Sequence, residues 1–237
     1  MKKIGLALIA VVLYASVLPA RAVPAQWVEG TNYVVLDQPQ PTTVPAGKVE
    51  VMEIFSYACP FCAKFQPIIH QLERGLPRYA QMVFLPASFI PSEDWPMFQQ
   101  AYFAAQSLEI ADRTHQAMYD AVWKTGQLAT VDQSTNQLKD PMPSLEDAAR
   151  YYSQITGVSQ QKFLAAARSF GVANEMREAD AQITAMQVPG TPCIVVDGKY
   201  RVAMDSLRSP EDVISLVKFL VAKAHSQHQH PGARPSA

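Results

Sequence analysis

The chain has 237 residues, 49% of them hydrophobic, with 20 basic and 21 acidic side chains and only three cysteines. So balanced a charge gives no electrostatic pull toward nucleic acid or an anionic membrane surface. Three cysteines cannot build a disulfide scaffold, and the apolar content suffices for a core without one.

The first 22 residues, MKKIGLALIAVVLYASVLPARA, place Lys2 and Lys3 before an apolar run from Ile4 to Leu18 and end on the small-x-small site Ala20-Arg21-Ala22. That is the pattern of a secretory signal peptide, and the apolar run is shorter than the roughly 20 residues a membrane span needs. Cleavage after Ala22 removes three basic residues and no acidic one, leaving 215 residues with 17 basic against 21 acidic, net −4. Export places the cysteines in an oxidising compartment.

Tyr33 to Leu36 is expected to be a short strand, and Pro39, Pro41, Pro45 and Gly47 mark an extended linker. Val49 to Phe55 (VEVMEIF) predicts a strand buried on both faces, because its apolar residues do not simply alternate with polar ones. A helix follows from about Cys59 to Leu76, with Pro67 inside it unable to donate to the Ala63 carbonyl. Gln81 to Pro86 predicts another strand.

From Pro96 to Met186 five segments repeat apolar residues at three-to-four spacing: PMFQQAYFAAQSL, THQAMYDAVWKTG, SLEDAARYYSQITG, SQQKFLAAARSFG and ANEMREADAQITAM. Ser144 and Ser159 are expected N-caps, and Gly157 and Gly171 expected stops. CIVV and YRVAM then flank Asp197-Gly198, a two-residue hairpin signal. A last helix starts at Ser209 with Pro210 in its first position and is expected to end near His225. The order is that of one α/β domain interrupted by helices. Boundaries fall at 1–22 for the signal, 23–90 and 185–225 for the two parts of the α/β domain, 91–184 for the helical insertion, and 226–237 for a polar, disordered tail. His225, His228 and His230 offer at most weak metal binding there.

Cys59 and Cys62 could form a staple, half a metal site or a reaction centre. A structural zinc site usually needs two closely spaced ligand pairs; Cys59, Cys62, Cys193 and a histidine supply one. Cys59 falls where a strand passes into a helix, at the positive end of the helix dipole, which favours a thiolate. Cys62 lies one turn deeper on the same face. That spacing suits an exposed nucleophile with a buried partner, and stabilising the Cys59 thiolate makes a Cys59–Cys62 disulfide a stronger oxidant. Glu53, in the middle of an apolar strand six residues earlier, reads either as a surface carboxylate or as a buried acid exchanging protons with Cys62 through water. In Val188-Pro189-Gly190-Thr191-Pro192-Cys193, a proline directly before a strand points to a cis bond at Pro192 or at Pro189. His70 and His115 read as ordinary structural or surface residues.

FSYACPFC after an apolar strand, VPGTPCIVVDGKY near the end, the helical block between them and the opening WVEGTNYVVL together resemble the DsbA family of periplasmic thiol:disulfide oxidoreductases, over most of the mature chain. The resemblance implies an α/β thioredoxin fold interrupted by an inserted all-helical domain. It implies that Cys59 is the reactive cysteine, Cys62 the resolving one, Glu53 the buried acid and Pro192 a cis-proline facing the pair, with Thr191, Pro192 and Phe61 contacting substrate. It further implies introduction of disulfides into unfolded exported proteins in the periplasm, reoxidation by a DsbB-like quinone-coupled membrane protein, a monomer, and neither metal nor small-molecule cofactor. A disulfide isomerase or reductase of the same superfamily, and a thiol-independent holdase, are the alternatives; only 26 residues, Val23 to Lys48, precede the first core strand, too few for the dimerisation domain such isomerases carry. The chain departs from the best-known members in Phe61, where they have histidine, and in Phe84, near the place of a lysine that partners the buried acid. Phe61 cannot stabilise a thiolate by charge, so Cys59 is expected to be less acidic than in those members. Cys193 is expected to be a buried, small apolar residue rather than a third redox thiol.

Overall fold

The computed structural model describes residues 26–230. The signal segment 1–22 and the last residues of the tail lie outside that range.

The chain runs β1 (Tyr33–Val35), β2 (Val49–Phe55), α1 (Pro60–Gly75), β3 (Ala80–Pro86), then α2 (Trp95–Ser107) and α3 (Ala111–Trp123). A small hairpin of β4 (Val131–Asp132) and β5 (Gln137–Leu138) precedes α4 (Leu145–Thr156), α5 (Gln160–Ala167) and α6 (Phe170–Ala185). The chain then returns through β6 (Cys193–Val196) and β7 (Tyr200–Val202) to α7 (Pro210–Gln229). The main sheet has the order β1-β7-β6-β2-β3; β2 and β3 are parallel and the other pairs antiparallel.

Side-chain alternation along β2 and β6 divides the interior in two. Val49, Val51, Ile194 and Val196 pack with Phe65, Ile69 and Leu72 of α1 and with the apolar face of α7. Met52, Ile54, Cys193 and Val195 join the core of α2 to α6. All seven residues of β2 are buried, as expected of a strand covered on both faces. Two of those seven are glutamates. Glu50 accepts from the Thr43 amide at 2.7 Å and the Thr43 hydroxyl at 2.8 Å, which ties the proline-rich linker to the sheet.

Local chemistry sets most boundaries. Ser144 and Ser209 form capping boxes with Asp147 and Asp212, and Pro210 occupies the first turn of α7. Asp197 and Gly198 both have a φ of 58°, the pair of left-handed residues a tight hairpin demands. A Cβ on Gly198 would meet the Gln40 carbonyl oxygen at 2.1 Å, so only glycine fits.

Four expectations are corrected. Gly171 does not stop a helix: Ser169 caps α6 by accepting from the Val172 amide, so α5 ends at Ala167 and Gly171 lies in the first turn of α6. Strand β7 ends at Val202, where the Ala203 amide donates to the Asn32 carbonyl and a short helical turn begins at Met204. The hairpin of β4 and β5 has no strong apolar pattern and was not expected. Finally, 226–229 belongs to α7 and not to a disordered tail. His225 stacks on Tyr79 at 3.8 Å, Gln227 accepts from Lys199 and Tyr200, and His228 lies 2.8 Å from Asp197, so side-chain contacts hold the polar end of the helix to the sheet.

Candidate active site

The loop after β2 places Cys59 as the N-cap of α1. Its backbone is extended (φ −80°, ψ 116°), and its sulfur accepts from the Cys62 amide at 3.3 Å. A thiolate here meets unpaired amides and the positive end of the helix dipole together. The opposing loop carries the second half of the site. Among the described residues the cis peptide bonds are Asp140–Pro141 and Thr191–Pro192, and the Thr191 carbonyl oxygen is 3.5 Å from the Cys59 sulfur.

Both Cys59 and Cys62 are thiols in this structure. The Cys59 thiol is brought down to about 6, foremost by a hydrogen bond from Cys62, against the effect of burial; the nearby Thr191 side chain and the amides of Cys62 and Phe61 add to the lowering. Cys62 moves the opposite way, raised by burial and then by the neighbouring Cys59 sulfur and Glu53. Neither cysteine is openly exposed. Cys59 is 3% accessible and Cys62 0%, which corrects the expectation of an exposed nucleophile: the Thr191-Pro192 loop lies against the sulfur. Cys193 is also buried, and burial pushes its thiol up to about 12.

Glu53 settles the choice between surface and buried acid. It is 0% exposed, and neither carboxyl oxygen has a partner. Its neighbours across the sheet are Ile194 on β6 and Phe84 on β3, so a phenyl ring stands where a cation would have offset its charge. Burial, followed by the negative charges of Glu73 and Cys59, holds its pKa well above the usual carboxylate range, and the Gln66 amide only partly opposes this. An unpaired buried carboxyl of this kind stays protonated.

Trp123 and Tyr57, near the site, were not singled out in the sequence, and His115 reads there only as an ordinary residue. Trp123, at the end of α3, donates through Nε1 to the Tyr57 carbonyl at 2.8 Å, and so ties the helical block to the loop carrying Cys59. Tyr57 sits 3.0 Å from Nδ1 of His115, which is buried among Phe55, Phe84 and Tyr119. Burial, aided by His70, takes His115 down to about 3, so it is neutral. Tyr57 was in view beside the cysteines; no local signal could have paired it with residues 58 and 66 positions away.

Clefts flank the cysteine pair on both sides. One of about 490 Å³ is bordered by Gly190, Thr191, Pro192 and Met204; another of about 570 Å³ by Ala58, Pro60, Trp123 and Val131. Phe61 projects from the rim, 67% exposed. Among the described residues, no three His, Cys, Asp or Glu side chains gather as a metal site would require, and no helix is long and apolar enough to cross a membrane.

Residues 50–214 match the model of the DSBA-like thioredoxin domain. The thiol:disulfide interchange protein DsbA of Pseudomonas aeruginosa is 32% identical over 220 residues, 92% of this chain and 96% of that protein. DsbA of Azotobacter vinelandii is 30% identical, over 86% and 87%. Among solved structures, the oxidoreductase DsbA from Xylella fastidiosa superposes with a TM-score of 0.72 at 30% identity, over 84% of this chain and 98% of that one. The P. aeruginosa DsbA structure gives 0.70 at 31%, over 86% and 97%. With a cysteine pair at a helix N-terminus, a cis-proline loop against it and these likenesses over nearly the whole fold, the chain belongs to the DsbA family of thiol:disulfide oxidoreductases.

Proposed function

We propose that this oxidoreductase works as a disulfide donor to unfolded exported proteins in the periplasm, with Cys59 as the reacting sulfur and Cys62 as the resolving one. The observation that carries this reading is the placement of two thiols one helical turn apart: Cys59 as the N-cap of α1, accepting from the Cys62 amide at 3.3 Å against the cis Thr191-Pro192 loop, and Cys62 fully buried beneath it, which lowers the first thiol and raises the second. A stabilised Cys59 thiolate is a good leaving group and favours the dithiol, so the disulfide is readily given away.

In the proposed cycle a substrate thiolate attacks the Cys59 sulfur of the Cys59–Cys62 disulfide. The bond to Cys62 breaks, and Cys62 leaves with the electron pair and takes a proton. A second substrate thiolate then attacks its own cysteine sulfur in the mixed disulfide, which closes the substrate disulfide and releases Cys59 as a thiolate. Thr191 and Pro192 line one flanking cleft and Phe61 stands at the rim, which suits them to hold an extended substrate segment against Cys59. The electrons leave through a DsbB-like, quinone-coupled membrane protein. The redox-active pair does the chemistry with no metal or small-molecule cofactor, and the protein acts as a monomer.

Equilibration of the Cys59–Cys62 pair with glutathione buffers, together with transfer to a reduced, unfolded multi-cysteine protein, tests this reading. A potential well above that of thioredoxin, about −270 mV, is expected, with transfer abolished by Cys59→Ser and a trapped mixed disulfide in Cys62→Ala. A potential at or below thioredoxin's would make the protein a reductase. A Cys59→Ser variant that loses transfer but still suppresses aggregation would add a holdase role.

A further inference from the structure

Release of Cys62 as a thiolate raises a question of proton supply. Glu53 lies on the same side of β2 as α1 and is the nearest buried acid, but it is sealed by β3, β6 and α1. After giving its proton to Cys62 it would be a partnerless buried anion until a proton returns. No lysine stands beside it; its neighbour on β3 is Phe84.

An opening exists elsewhere. A cleft of about 230 Å³ lies between α1 and α3 against the edge of β3, and its walls include Gln66, His70, Glu73, Phe84, Asp112 and His115. Positions 62, 66, 70 and 73 follow one another along a single face of α1, so the stripe leads from the sulfur of Cys62 through Gln66 to the mouth. Gln66 is 3% exposed, and neither its amide nitrogen nor its carbonyl oxygen has a partner. An amide both donates and accepts, so one set between a carboxyl and the cleft can hold a bridging water in place, along which a proton passes. A cleft this size holds several waters at roughly 30 Å³ each.

The titratable and charged groups around the mouth are His70, Glu73 and Arg74 from α1 and Asp112 from α3. Beside them stands His115, which is neutral and whose Nε2 has no partner; β3 contributes only Met82 and Phe84. Two carboxylates there favour an incoming cation over an anion.

We propose that this cleft is the proton inlet of the redox centre, in which Gln66 positions the water that passes protons between Glu53 and the cleft, and His70, beside Glu73 and Asp112, exchanges them with solvent. It rests on the reading that Cys62 is the resolving cysteine. The balance is simple: the Glu53 carboxyl gives its proton to the Cys62 thiolate, making a thiol and a carboxylate. One proton from solvent, carried in through His70 and the water held by Gln66, restores the carboxyl. When the dithiol is reoxidised, the same proton leaves by the same route. No electrons pass through the cleft.

The test is the rate at which a small dithiol reduces the oxidised enzyme, followed from pH 5 to 8 for the parent, Gln66→Leu and His70→Ala. Leucine at 66 replaces two partnerless buried polar atoms with apolar contact, so folding is retained. The expected result is a rate about tenfold lower for Gln66→Leu at pH 8, less than the roughly 10²–10⁴-fold a direct general acid supplies because Gln66 only positions the water, with the deficit shrinking toward pH 5 and the equilibrium potential unchanged. His70→Ala is expected to slow by about threefold, below the roughly 10²–10⁴-fold of a direct general acid because solvent replaces it at the mouth, and to recover when imidazole is added to the buffer. Gln66→Leu and His70→Ala profiles that superimpose on the parent's overturn the inlet, and so does a slowing that is independent of pH or accompanied by a shifted potential. An unmutated enzyme that fails to exchange with the dithiol would instead count against the disulfide-donor reading itself.

Discussion

The rim of α1 and the layer one turn beneath it hold the same functional group in opposite conditions. At the rim, Cys59 accepts from the Cys62 amide and sits at a helix N-terminus with the Thr191 side chain beside it; beneath it, Cys62 and Glu53 gather too little hydrogen bonding to offset their burial. A single helical turn thus separates a place that favours negative charge from one that refuses it. The two places need each other. On the proposed mechanism a disulfide that opens toward Cys59 leaves charge on Cys62, and the nearby protonated acid relieves it.

The lower layer is where the largest stability effect is expected. The folded pKa of Glu53 lies above its unfolded value near 4.5, so the folded form keeps a proton that the unfolded form releases, and stability falls as pH rises above about 4.5. Glu53→Leu removes that slope and a partnerless carboxyl together. It is expected to gain about 1–3 kcal/mol at pH 7, or several degrees in Tm, with the gain narrowing toward pH 4.5; thermal melts of the reduced protein across that range check it. At the same time the variant should exchange thiols more slowly.

At the rim, Phe61→His sharpens the contrast. An imidazolium next to the N-cap favours the thiolate, so Cys59 should titrate below the parent's value of about 6. Each unit corresponds to about 1.4 kcal/mol and about 30 mV. Because position 61 is 67% exposed, solvent screening keeps the rise in potential to about 30 mV or less. Glutathione equilibria on the two proteins measure it.

Thr191→Val is the smaller perturbation. It removes one of several groups that favour the thiolate and leaves the loop's shape, so the Cys59 pKa should rise by about half a unit, within the usual worth of one hydrogen bond. Ultraviolet thiolate titration is the readout.

Much of this contrast was legible in the sequence, because its ingredients are local. A cysteine between a buried strand and a helix announces an N-cap, and Cys62 follows at helical spacing. The distant parts became legible only through likeness to a family: Thr191-Pro192 carries no local mark of facing Cys59 across 132 positions. What sequence could not show depends on three-dimensional closure. The cover over Cys59, the Trp123 bond to the Tyr57 carbonyl and the Gln66 to Glu73 stripe opening between α1 and α3 arise from packing of segments far apart in the chain. The end of α7 failed for a related reason. HSQHQ lacks apolar periodicity, and its helix is held by Tyr79, Lys199, Tyr200 and Asp197.

The central claim is that charge is favoured at Cys59 and refused at Cys62, and alkylation of the fully reduced protein tests it most directly. Iodoacetamide labelling rates across pH 4 to 10, with the labelled cysteine identified by mass spectrometry, should give a midpoint near 6 with Cys59 modified and Cys62 and Cys193 spared. A midpoint near 9, or label arriving first on Cys62, would contradict it.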